Sequence, residues 1–409
     1  MADSTPTPSD RFCLASDLIV KRHPSRGYVV QRDGVNIIGS EHTLAILDTF
    51  SQPRTLAEAL NLPTSRTKGP QGWMDLTSEI INLTKIGVLS NPSRVQLAER
   101  ERARGFAGCS SHHRMLSDRT RTERYLEAIR QTVRPGDVVL DIGTGSGILA
   151  IAAAKAGASR VYAVESSAIG HLADAMFEAN GVADRVKLVR GLSTEIELPE
   201  RADVLICELI GDEPLNERIQ EVCRDAMKRL LKTNARLVPS RLVLKTLPVG
   251  APSETLDGYV ATDTTAERWH HWYDTDFSAF ASYSRSEFQY AWIRAQDALN
   301  WDILSEPVTI VELDLRTFTS TFEAGSAMGA FTRDGSMNGV LLYFEANLAA
   351  GIHLSTHPTL VGADNHWRSM LRLVDPCRNV HHGEVFRITY SQGLSHQAAR
   401  LDIQVDPPP

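Results

Sequence analysis

The sequence predicts a parallel α/β domain in the middle of the chain, a mostly β domain after it and a small α+β domain before it. Apolar strand-like runs alternate with helical patterns over residues 111–238, which indicates the parallel sheet. Strand-like runs dominate after Pro239. A hairpin pattern and an amphipathic helix indicate the small domain. We therefore set the domain boundaries at 1–95, 96–238 and 239–409.

Length and composition are those of a globular protein. The chain has 409 residues, 42% hydrophobic and 23% charged, which is enough to fill two or three cores. A net charge of −7 argues against a nucleic-acid-binding protein. Five cysteines without a CxxC pair are typical of a reduced compartment. We find no signal-peptide pattern and no membrane-spanning apolar run, and we expect a cytoplasmic protein without membrane contact.

The small N-terminal domain is predicted from a hairpin followed by helices. Tyr28–Arg32 and Val35–Ile38 are strand-like and are joined by Asp33-Gly34, a strong hairpin signal. The elements expected next are a helix over His42–Phe50, a short helix over Thr55–Leu60 capped by Thr55, a loop over 61–71, and an amphipathic helix over 73–86 ending at Gly87. This order predicts a winged-helix-like fold. Ten Lys and Arg against nine Asp and Glu over residues 1–95 give little attraction for DNA.

A glycine-rich turn in the central domain indicates a ligand site. Val138–Ile142 predicts a buried parallel strand, and Ile148–Ala156 predicts a helix whose positive N-terminal end faces the ligand. Between them lie glycines at alternate positions, Gly143, Gly145 and Gly147. Glycine lets the backbone turn tightly and approach a ligand closely. This spacing favours S-adenosylmethionine over a dinucleotide, whose loop reads G-x-G-x-x-G.

Two acidic residues accompany the glycine turn. Glu165 ends the next apolar run, 22 residues after Gly143, where a carboxylate can accept both ribose hydroxyl protons. Asp141 ends the first strand, and we expect it to order the glycine loop. Glu165 is therefore predicted to bind the ribose, and Asp141 is predicted to order the glycine loop.

Further motifs flank this site. Glu208 and Glu217 lie nine positions apart around a turn after the apolar run Ala202–Cys207. The other motifs are His112-His-Arg-Met115-Leu-Ser-Asp118-Arg-Thr-Arg121-Thr upstream, and Ser355-Thr-His-Pro and Asn365-His366-Trp367 downstream. In this order they resemble the protein arginine methyltransferase family, over roughly residues 105–409. The resemblance implies a Rossmann-like S-adenosylmethionine-binding domain, a C-terminal β-barrel with a dimerisation arm inserted near 275–300, and a homodimer.

The resemblance also assigns roles to residues. Glu208 and Glu217 would grip the acceptor guanidinium and orient one nitrogen. His366 and Asp118 would form a pair beside the acceptor; the alternative for Asp118 is a helix cap. Arg121 would bind the cofactor's carboxylate. The other expected cofactor contacts are Met115, Asp141, Gly143, Gly145, Gly147, Glu165, Ser193 and Thr194. The paired histidines, 112–113 among them, lack companion metal ligands, so we expect packing or surface roles and no metal.

The sequence departs from the family at three positions. Arg102–Phe106 replaces a Y-F-x-x-Y helix, Asn365 replaces a threonine, and Thr194, with Glu195 beside it, replaces the adenine-facing glutamate. The first departure alters the lid over the acceptor pocket. A smaller acceptor, such as an asparagine amide, is therefore an alternative to arginine.

The N-terminal pattern resembles the PqqD-like domains that recruit ribosomally made precursor peptides by adding a leader strand to a sheet. We therefore predict an S-adenosylmethionine-dependent N-methyltransferase acting on a peptide side chain, with arginine favoured and the precursor recruited by residues 1–95. The alternatives are methylation of another side-chain nitrogen or an oxygen, a catalytically dead scaffold, and a winged-helix regulator that senses S-adenosylmethionine. A structural cap or dimerisation module is the alternative for the N-terminal domain alone.

Overall fold

The chain folds into two compact units, one within residues 1–103 and the other within residues 104–409. The structure, a computed structural model, describes residues 11–14, 18–23, 27–32, 35–39, 42–55, 58, 76–80, 82–84, 88–90, 108–287, 290–317, 324–392 and 399–405. No helix within these ranges is long and apolar enough to cross a membrane. All the residues predicted for the site belong to the second unit.

Short strands and helices build the N-terminal unit. Its described elements are β1 (Arg11–Leu14), β2 (Ile19–His23), β3 (Gly27–Arg32), β4 (Val35–Gly39), α1 (Thr43–Thr49), β5 (Arg54–Thr55), helical residues 76–80 and 82–84, and β6 (Leu89–Ser90). β2, β3 and β4 form an antiparallel meander, and β1 lies between β5 and β6 in a second sheet. Arg32 pairs with Val35, which confirms the predicted hairpin register. Its turn residues, 33–34, lie outside the described residues.

A separate apolar core holds the N-terminal unit together. Phe12, Phe50 and Val30 are buried with the helical residues Leu76, Ile80 and Leu83. Thr55 and Glu58 bond reciprocally: the Thr55 N–H donates to Glu58 Oε2 (2.9 Å), and the Glu58 N–H donates to Thr55 Oγ1 (3.1 Å). This is the pattern of a helix capping box, as expected for Thr55. Loop 61–71 lies outside the described residues, and the winged-helix assignment stays a prediction.

A parallel sheet forms the centre of the second unit. The elements are α2 (Cys109–Ser117), α3 (Arg119–Thr132), β7 (Val138–Ile142), α4 (Ile148–Lys155), β8 (Arg160–Glu165), α5 (Gly170–Ala179), β9 (Val186–Arg190), β10 (Ala202–Cys207), α6 (Ile219–Arg229) and β11 (Leu231–Val238). The strand order is β11-β10-β7-β8-β9, so the chain reverses direction across the sheet between β7 and β10. Ligands bind at such a reversal in Rossmann-like sheets. The predicted Rossmann-like domain is confirmed.

Small and branched apolar side chains let the helices of this domain pack closely on its parallel sheet. All five residues of β7 are buried, as expected for a strand covered on both faces. The alanines of α4 lie in the core of this unit, and Ala150, Ala153 and Ala154 have no exposed surface. A helix with small side chains can approach a sheet closely. The loop between β7 and α4 is held to β8, because the N–H groups of Gly143 and Thr144 both donate to the carbonyl oxygen of Val164 (3.0 Å).

Antiparallel sheets form the C-terminal part of this unit. The elements are β12 (Arg241–Gly250), α7 (Ser253–Leu256), α8 (Asp263–Tyr273), α9 (Ser278–Glu287), β13 (Tyr290–Arg294), β14 (Asp302–Ile303), β15 (Val308–Asp314), β16 (Ala324–Ala330), β17 (Gly335–Ala349), β18 (Ile352–Ser355), β19 (Arg368–Val380), β20 (Val385–Ser391) and β21 (Arg400–Val405). The larger sheet runs β13-β19-β17-β12-β14, with β15 on β12 and β18 on β17. The smaller sheet runs β16-β20-β21. The predicted β domain is confirmed as antiparallel sheets, while its closure into a barrel stays a prediction.

The helical insertion lies earlier than the predicted arm near 275–300. Its helices occupy residues 253–287, and residues 290–294 form β13 instead. β13 pairs with β19 and buries Ala291 and Ile293. Alternating burial makes a strand of residues 290–294, whereas α9 lies within the predicted range, and the assignment of the helical insertion to a dimerisation arm stays a prediction.

Candidate functional site

The predicted site residues converge at the carboxyl edge of the parallel sheet. The glycine loop follows β7, and the acid loop, which we define as residues 208–218, follows β10. β7 and β10 are hydrogen-bonded neighbours in parallel register, so the two loops leave the same edge side by side. α2 and α3 bring Met115, Asp118 and Arg121 to the same place. The edge therefore combines the expected cofactor and acceptor residues.

The glycine loop has a backbone that accepts few other residues. Gly145 and Gly147 have φ of 55° and 83°, a left-handed region that favours glycine. A Cβ on Gly145 would stand 2.7 Å from His112 Cε1, and one on Gly147 would stand 2.5 Å from Phe177 Cε1. Side chains from two helices therefore press on the loop, and the loop forms a close cradle for a ligand.

Glu165 braces the glycine loop. Its Oε2 accepts the N–H of Gly145 (3.0 Å), and its Oε1 accepts the N–H of Ser167 (2.8 Å). Each carboxylate oxygen keeps a second lone pair, so two hydroxyl donors can still be accepted. The buried Ser167 hydroxyl has no hydrogen-bond partner among the described residues. These groups fit the two hydroxyls of a ribose.

Asp141 forms a hydrogen bond with the glycine loop from the end of β7. It lies one residue before the end of β7, and its Oδ2 accepts the hydroxyl of Thr144 (2.6 Å). Burial raises the pKa of Asp141 to about 7, the Thr144 hydrogen bond opposes this rise, and the charge of Glu165 adds to it. Its Oδ1 is without a partner in the part of the chain that the structure describes. The carboxyl group is thus poised between its two charge states near neutral pH.

Arg121 joins the cofactor side of the site to the acid loop. Its Nη2 forms a buried ion pair with Glu208, and its Nη1 donates to the carbonyl oxygen of Met115 (3.3 Å). Within the described ranges its Nε is buried without a partner. A carboxylate would satisfy that nitrogen. Arg121 was predicted to bind the cofactor's carboxylate, which stays a prediction, and the structure shows Glu208 as its ion-pair partner.

Glu217 differs from Glu208 in having no ion-pair partner among the described residues. The residue is half-buried, and no described residue donates a hydrogen bond to its carboxyl group. Burial raises the pKa of Glu217 to about 8, and the charge of Glu208 adds to the rise while Arg121 lowers it. At neutral pH the side chain is therefore mostly protonated, whereas Glu208 forms an ion pair with Arg121.

Asp118 caps a helix and also contacts His366, while the position of this pair beside the acceptor stays a prediction. Its Oδ1 accepts the N–H of Arg121 (2.9 Å) and caps α3. Its Oδ2 lies 2.9 Å from His366 Nδ1 and accepts the backbone N–H of His366 (3.1 Å). Burial opposes ionisation, but the hydrogen bonds from His366 and Arg121 outweigh it and hold the pKa of Asp118 below its usual value. Asp118 therefore stays ionised and orients His366.

The segment after His366 reaches the acid loop. Trp367 donates its Nε1 hydrogen to the carbonyl oxygen of Ile210 (2.6 Å). Asn365 donates its side-chain amide to the carbonyl oxygen of Trp367 (2.8 Å), so it closes the turn that carries the histidine. Ser193 and Thr194 lie on the loop after β9, two strands away from β7. Ser193 is buried and Thr194 is exposed.

His112, predicted to have a packing or surface role, is buried against Gly145. Sequence reasoning missed two residues of this region. Tyr125 is buried on α3, and its hydroxyl has no partner among the described residues. Burial and the charge of Glu208 raise its pKa. Glu213 is a further acid of the acid loop and is buried. The available signal was the spacing of Tyr125, one helical turn after Arg121.

Comparisons with known proteins agree with this architecture. Residues 118–246 match the family described as ribosomal protein L11 methyltransferase (PrmA). A probable protein arginine N-methyltransferase 6 of Arabidopsis thaliana is 32% identical over 60% of this chain, which spans 55% of that relative's length. Protein arginine N-methyltransferase 6 of Danio rerio is 27% identical over 73% of this chain and 87% of its own.

Solved structures show the same fold. The Trypanosoma brucei PRMT1 enzyme–prozyme heterotetrameric complex with AdoHcy has a TM-score of 0.63 at 22% identity, covering 74% of this chain and 94% of that chain. Arabidopsis thaliana protein arginine methyltransferase 10, in an open conformation, has a TM-score of 0.63 at 24% identity, with the same coverage. The chain is therefore an S-adenosylmethionine-dependent methyltransferase with a protein arginine methyltransferase-like fold.

Proposed function

We propose that the enzyme methylates a guanidinium nitrogen of arginine in a peptide or protein. The observation that carries the proposal is Glu217, which has no ion-pair partner among the described residues, beside the ion pair of Arg121 and Glu208. A guanidinium offers N–H donors in a planar fork that two carboxylates can accept together. Its positive charge would supply the counter-ion that Glu217 lacks. The relatives named as protein arginine N-methyltransferases support the same acceptor.

The residues present fit the cofactor. The glycine loop provides a cradle that a Cβ would fill, and the Arg121 Nε and the Ser167 hydroxyl are buried donors without partners in the described ranges. Arg121 would hold the carboxylate, and Glu165 would accept the ribose hydroxyls. When bound, S-adenosylmethionine supplies an electrophilic methyl group on a sulfonium. Ser193, Thr194 and Met115 remain proposed contacts.

The remaining side chains act on the acceptor. A guanidinium is a weak nucleophile because its lone pairs are delocalised, so orientation of one nitrogen contributes much of the rate. Glu208 and Glu217 would direct that nitrogen and hold electron density on it. We assign the proton that leaves the nitrogen to His366, because Asp118 is ionised and fixes the histidine by two contacts.

The proposal is tested by proton release on acceptor binding. A bound guanidinium would lower the pKa of Glu217 from about 8, so the carboxyl group must lose its proton at pH 7. At pH 9.5 it is already ionised, and little release is expected. Calorimetry of an arginine peptide, with S-adenosylhomocysteine present, in buffers of different ionisation enthalpy measures the release directly. Glu217→Gln should abolish both the release and its pH dependence.

An asparagine peptide is the discriminating control. Its side-chain amide is neutral, so its binding should not lower the pKa of Glu217, and no proton release is expected. If the enzyme methylates asparagine peptides and leaves arginine peptides unmodified, the acceptor assignment is wrong while the methyltransferase assignment stands. If arginine peptides bind without proton release at pH 7, Glu217 does not contact the guanidinium.

We further propose that the N-terminal unit recruits the acceptor as part of a longer precursor peptide. The meander leaves β2 and β4 at its two edges, and edge strands accept an added peptide strand. We also propose that the enzyme self-associates through the helical hairpin of α8 and α9, which exposes several aromatic side chains. Both proposals are tested below at the scale to which they belong.

A further inference from the structure

Glu213 is the hydrogen-bonding centre of the acid loop. Its carboxyl group is buried beside the backbone N–H groups of Leu215 and Asn216, and the N–H of Asn216 donates to the backbone carbonyl oxygen of Glu213 (3.1 Å). The hydroxyl of Tyr390, on β20, donates to Glu213 Oε1. Burial raises the pKa of Glu213, and the Tyr390 hydroxyl and the two N–H groups oppose the rise. Neither Glu213 nor Tyr390 belongs to the acid pair that was assigned to the acceptor.

The C-terminal sheets hold the same loop at further points. The backbone N–H of Arg368 donates to Asp212 Oδ1 (2.7 Å), and Arg368 Nε donates to Oδ2 (2.8 Å). Gln392 Nε2 donates to the carbonyl oxygen of Leu215 (3.2 Å). Within the loop, a Cβ on Gly211 would stand 2.0 Å from Asn216 Oδ1, so the loop is folded tightly on itself. The C-terminal sheets therefore determine the conformation of residues 210–216.

This conformation decides where Glu217 lies. No described residue donates a hydrogen bond to its carboxylate, so its position depends on the backbone that carries it. That backbone is held on one side by the bond from the Asn216 N–H to the Glu213 carbonyl oxygen and by the bond from Gln392 to the Leu215 carbonyl oxygen. On the other side Arg218 has a φ of 65°, an unusual conformation for a residue other than glycine. A shift of the turn would therefore move Glu217.

We propose that Glu213 is a positioning residue for Glu217 and that Tyr390 anchors Glu213 to the C-terminal sheet. The inference deepens the proposed function, because it rests on the assignment of Glu217 to the acceptor. Glu213 acts through the N–H groups of Leu215 and Asn216 and does not touch the acceptor. The smaller antiparallel sheet thereby helps to build the acceptor site as well as the fold.

Tyr390→Phe tests the anchor, with Tyr290→Phe as its matched control. Tyr290 lies on the neighbouring sheet, and its hydroxyl also makes hydrogen bonds, with the carbonyl oxygen (3.3 Å) and the N–H (3.1 Å) of Leu401. Both variants lose one hydroxyl and should lose similar thermal stability. Only Tyr390→Phe should lower kcat, by about tenfold to a hundredfold, because small misplacements near the reacting atoms are costly. Affinity for S-adenosylhomocysteine should stay unchanged in both.

Glu213→Gln provides a second test in which the hydrogen-bond acceptor is kept. The amide oxygen can still accept from the Tyr390 hydroxyl, so we expect a smaller loss of kcat than in Glu213→Ala. Equal losses of kcat in Tyr390→Phe and Tyr290→Phe would overturn the proposal, since both would then act through stability alone. So would a loss confined to cofactor affinity.

An activity-free measurement separates this inference from the proposed function. Amide hydrogen exchange at Leu215 and Asn216 should speed up in Tyr390→Phe and remain at the wild-type rate in Tyr290→Phe. If exchange becomes faster but the enzyme leaves arginine peptides unmodified, arginine is not the acceptor, while the role of Tyr390 as the anchor of Glu213 is supported. If exchange is unchanged and the enzyme methylates arginine, Tyr390 does not anchor Glu213, while the proposed function stands.

Discussion

Gly147 shows how far a single backbone conformation controls the site. It has a φ of 83°, and a Cβ there would stand 2.5 Å from Phe177 Cε1. Phe177 is buried and cannot move aside cheaply. Gly147→Ala should therefore distort the loop and weaken S-adenosylhomocysteine binding by about tenfold or more. Isothermal calorimetry measures the affinity directly.

The matched control for this variant is Gly136→Ala. Gly136 also has a positive φ, 89°, but no described atom lies within 4 Å of its missing Cβ. This variant should lose about 1 kcal/mol of stability from the backbone conformation and bind S-adenosylhomocysteine normally. Similar affinities in the two variants would show that the contact with Phe177 is unimportant.

Residue types at the site were largely predictable, but their pairing was not. The resemblance of the motifs pointed to Arg121, Glu208 and Glu217. The ion pair between Arg121 and Glu208 joins residues 87 positions apart, and no local pattern specifies it. Glu213 was overlooked because a buried acid and a surface acid look alike in a sequence. Its burial follows from the C-terminal strand that supplies Tyr390.

At the scale of elements, the helical hairpin of α8 and α9 has an unusual surface. Trp272, Tyr273 and Tyr283 are 57%, 62% and 63% exposed. Trp269 packs edge-on against Phe277 and Phe280, with ring centroids 5.4 Å apart in both pairs. Exposed aromatic clusters mark interaction surfaces. Trp272→Ser combined with Tyr283→Ser should therefore shift the protein toward monomer in sedimentation experiments.

Leu360→Ser is the control for the hairpin variant. Leu360 is 67% exposed and lies outside the hairpin, so its replacement removes apolar surface without touching the cluster. It should leave the sedimentation behaviour unchanged. A hairpin variant that sediments as the unaltered protein does would exclude this surface from self-association.

Local residue preferences do not predict every strand, and β16 is an example. β16 consists of Ala, Gly, Ser and Met, residues that are not typical of strands. It forms because it pairs with β20 at seven consecutive positions from Ala324 to Ala330. Pairing between distant segments therefore overrides local preference here. In contrast, β7 and β8 were predictable because apolar residues fill most of both strands.

At the scale of the whole molecule, the role of the N-terminal unit can be tested by deleting it. It has its own core, which includes Phe12 and Phe50. Deletion of residues 1–103 should raise KM for a full precursor peptide. It should leave kcat on a short core peptide nearly unchanged, because the deleted unit adds local concentration and no chemistry. Steady-state kinetics with both peptides measure the difference.

An unchanged KM for the full precursor would contradict recruitment. If the isolated unit instead binds duplex DNA with a steep dependence on salt, the regulator interpretation gains support. The fold of the second unit followed from the periodicity of its apolar runs. The hairpin and capping signals predicted parts of the first unit, but its assignment to a winged helix depends on segments outside the described residues.

The shared guanidinium of Arg121 has a thermodynamic consequence. One nitrogen pairs with Glu208, which we propose contacts the acceptor, and another, Nε, has no partner among the described residues and is proposed to bind the cofactor's carboxylate. Any change that one ligand makes to Arg121 alters the affinity for the other. Linkage requires that the factor be the same in both directions. The two binding steps are therefore reciprocal, and neither affinity is fully defined until the occupancy of the other site is stated.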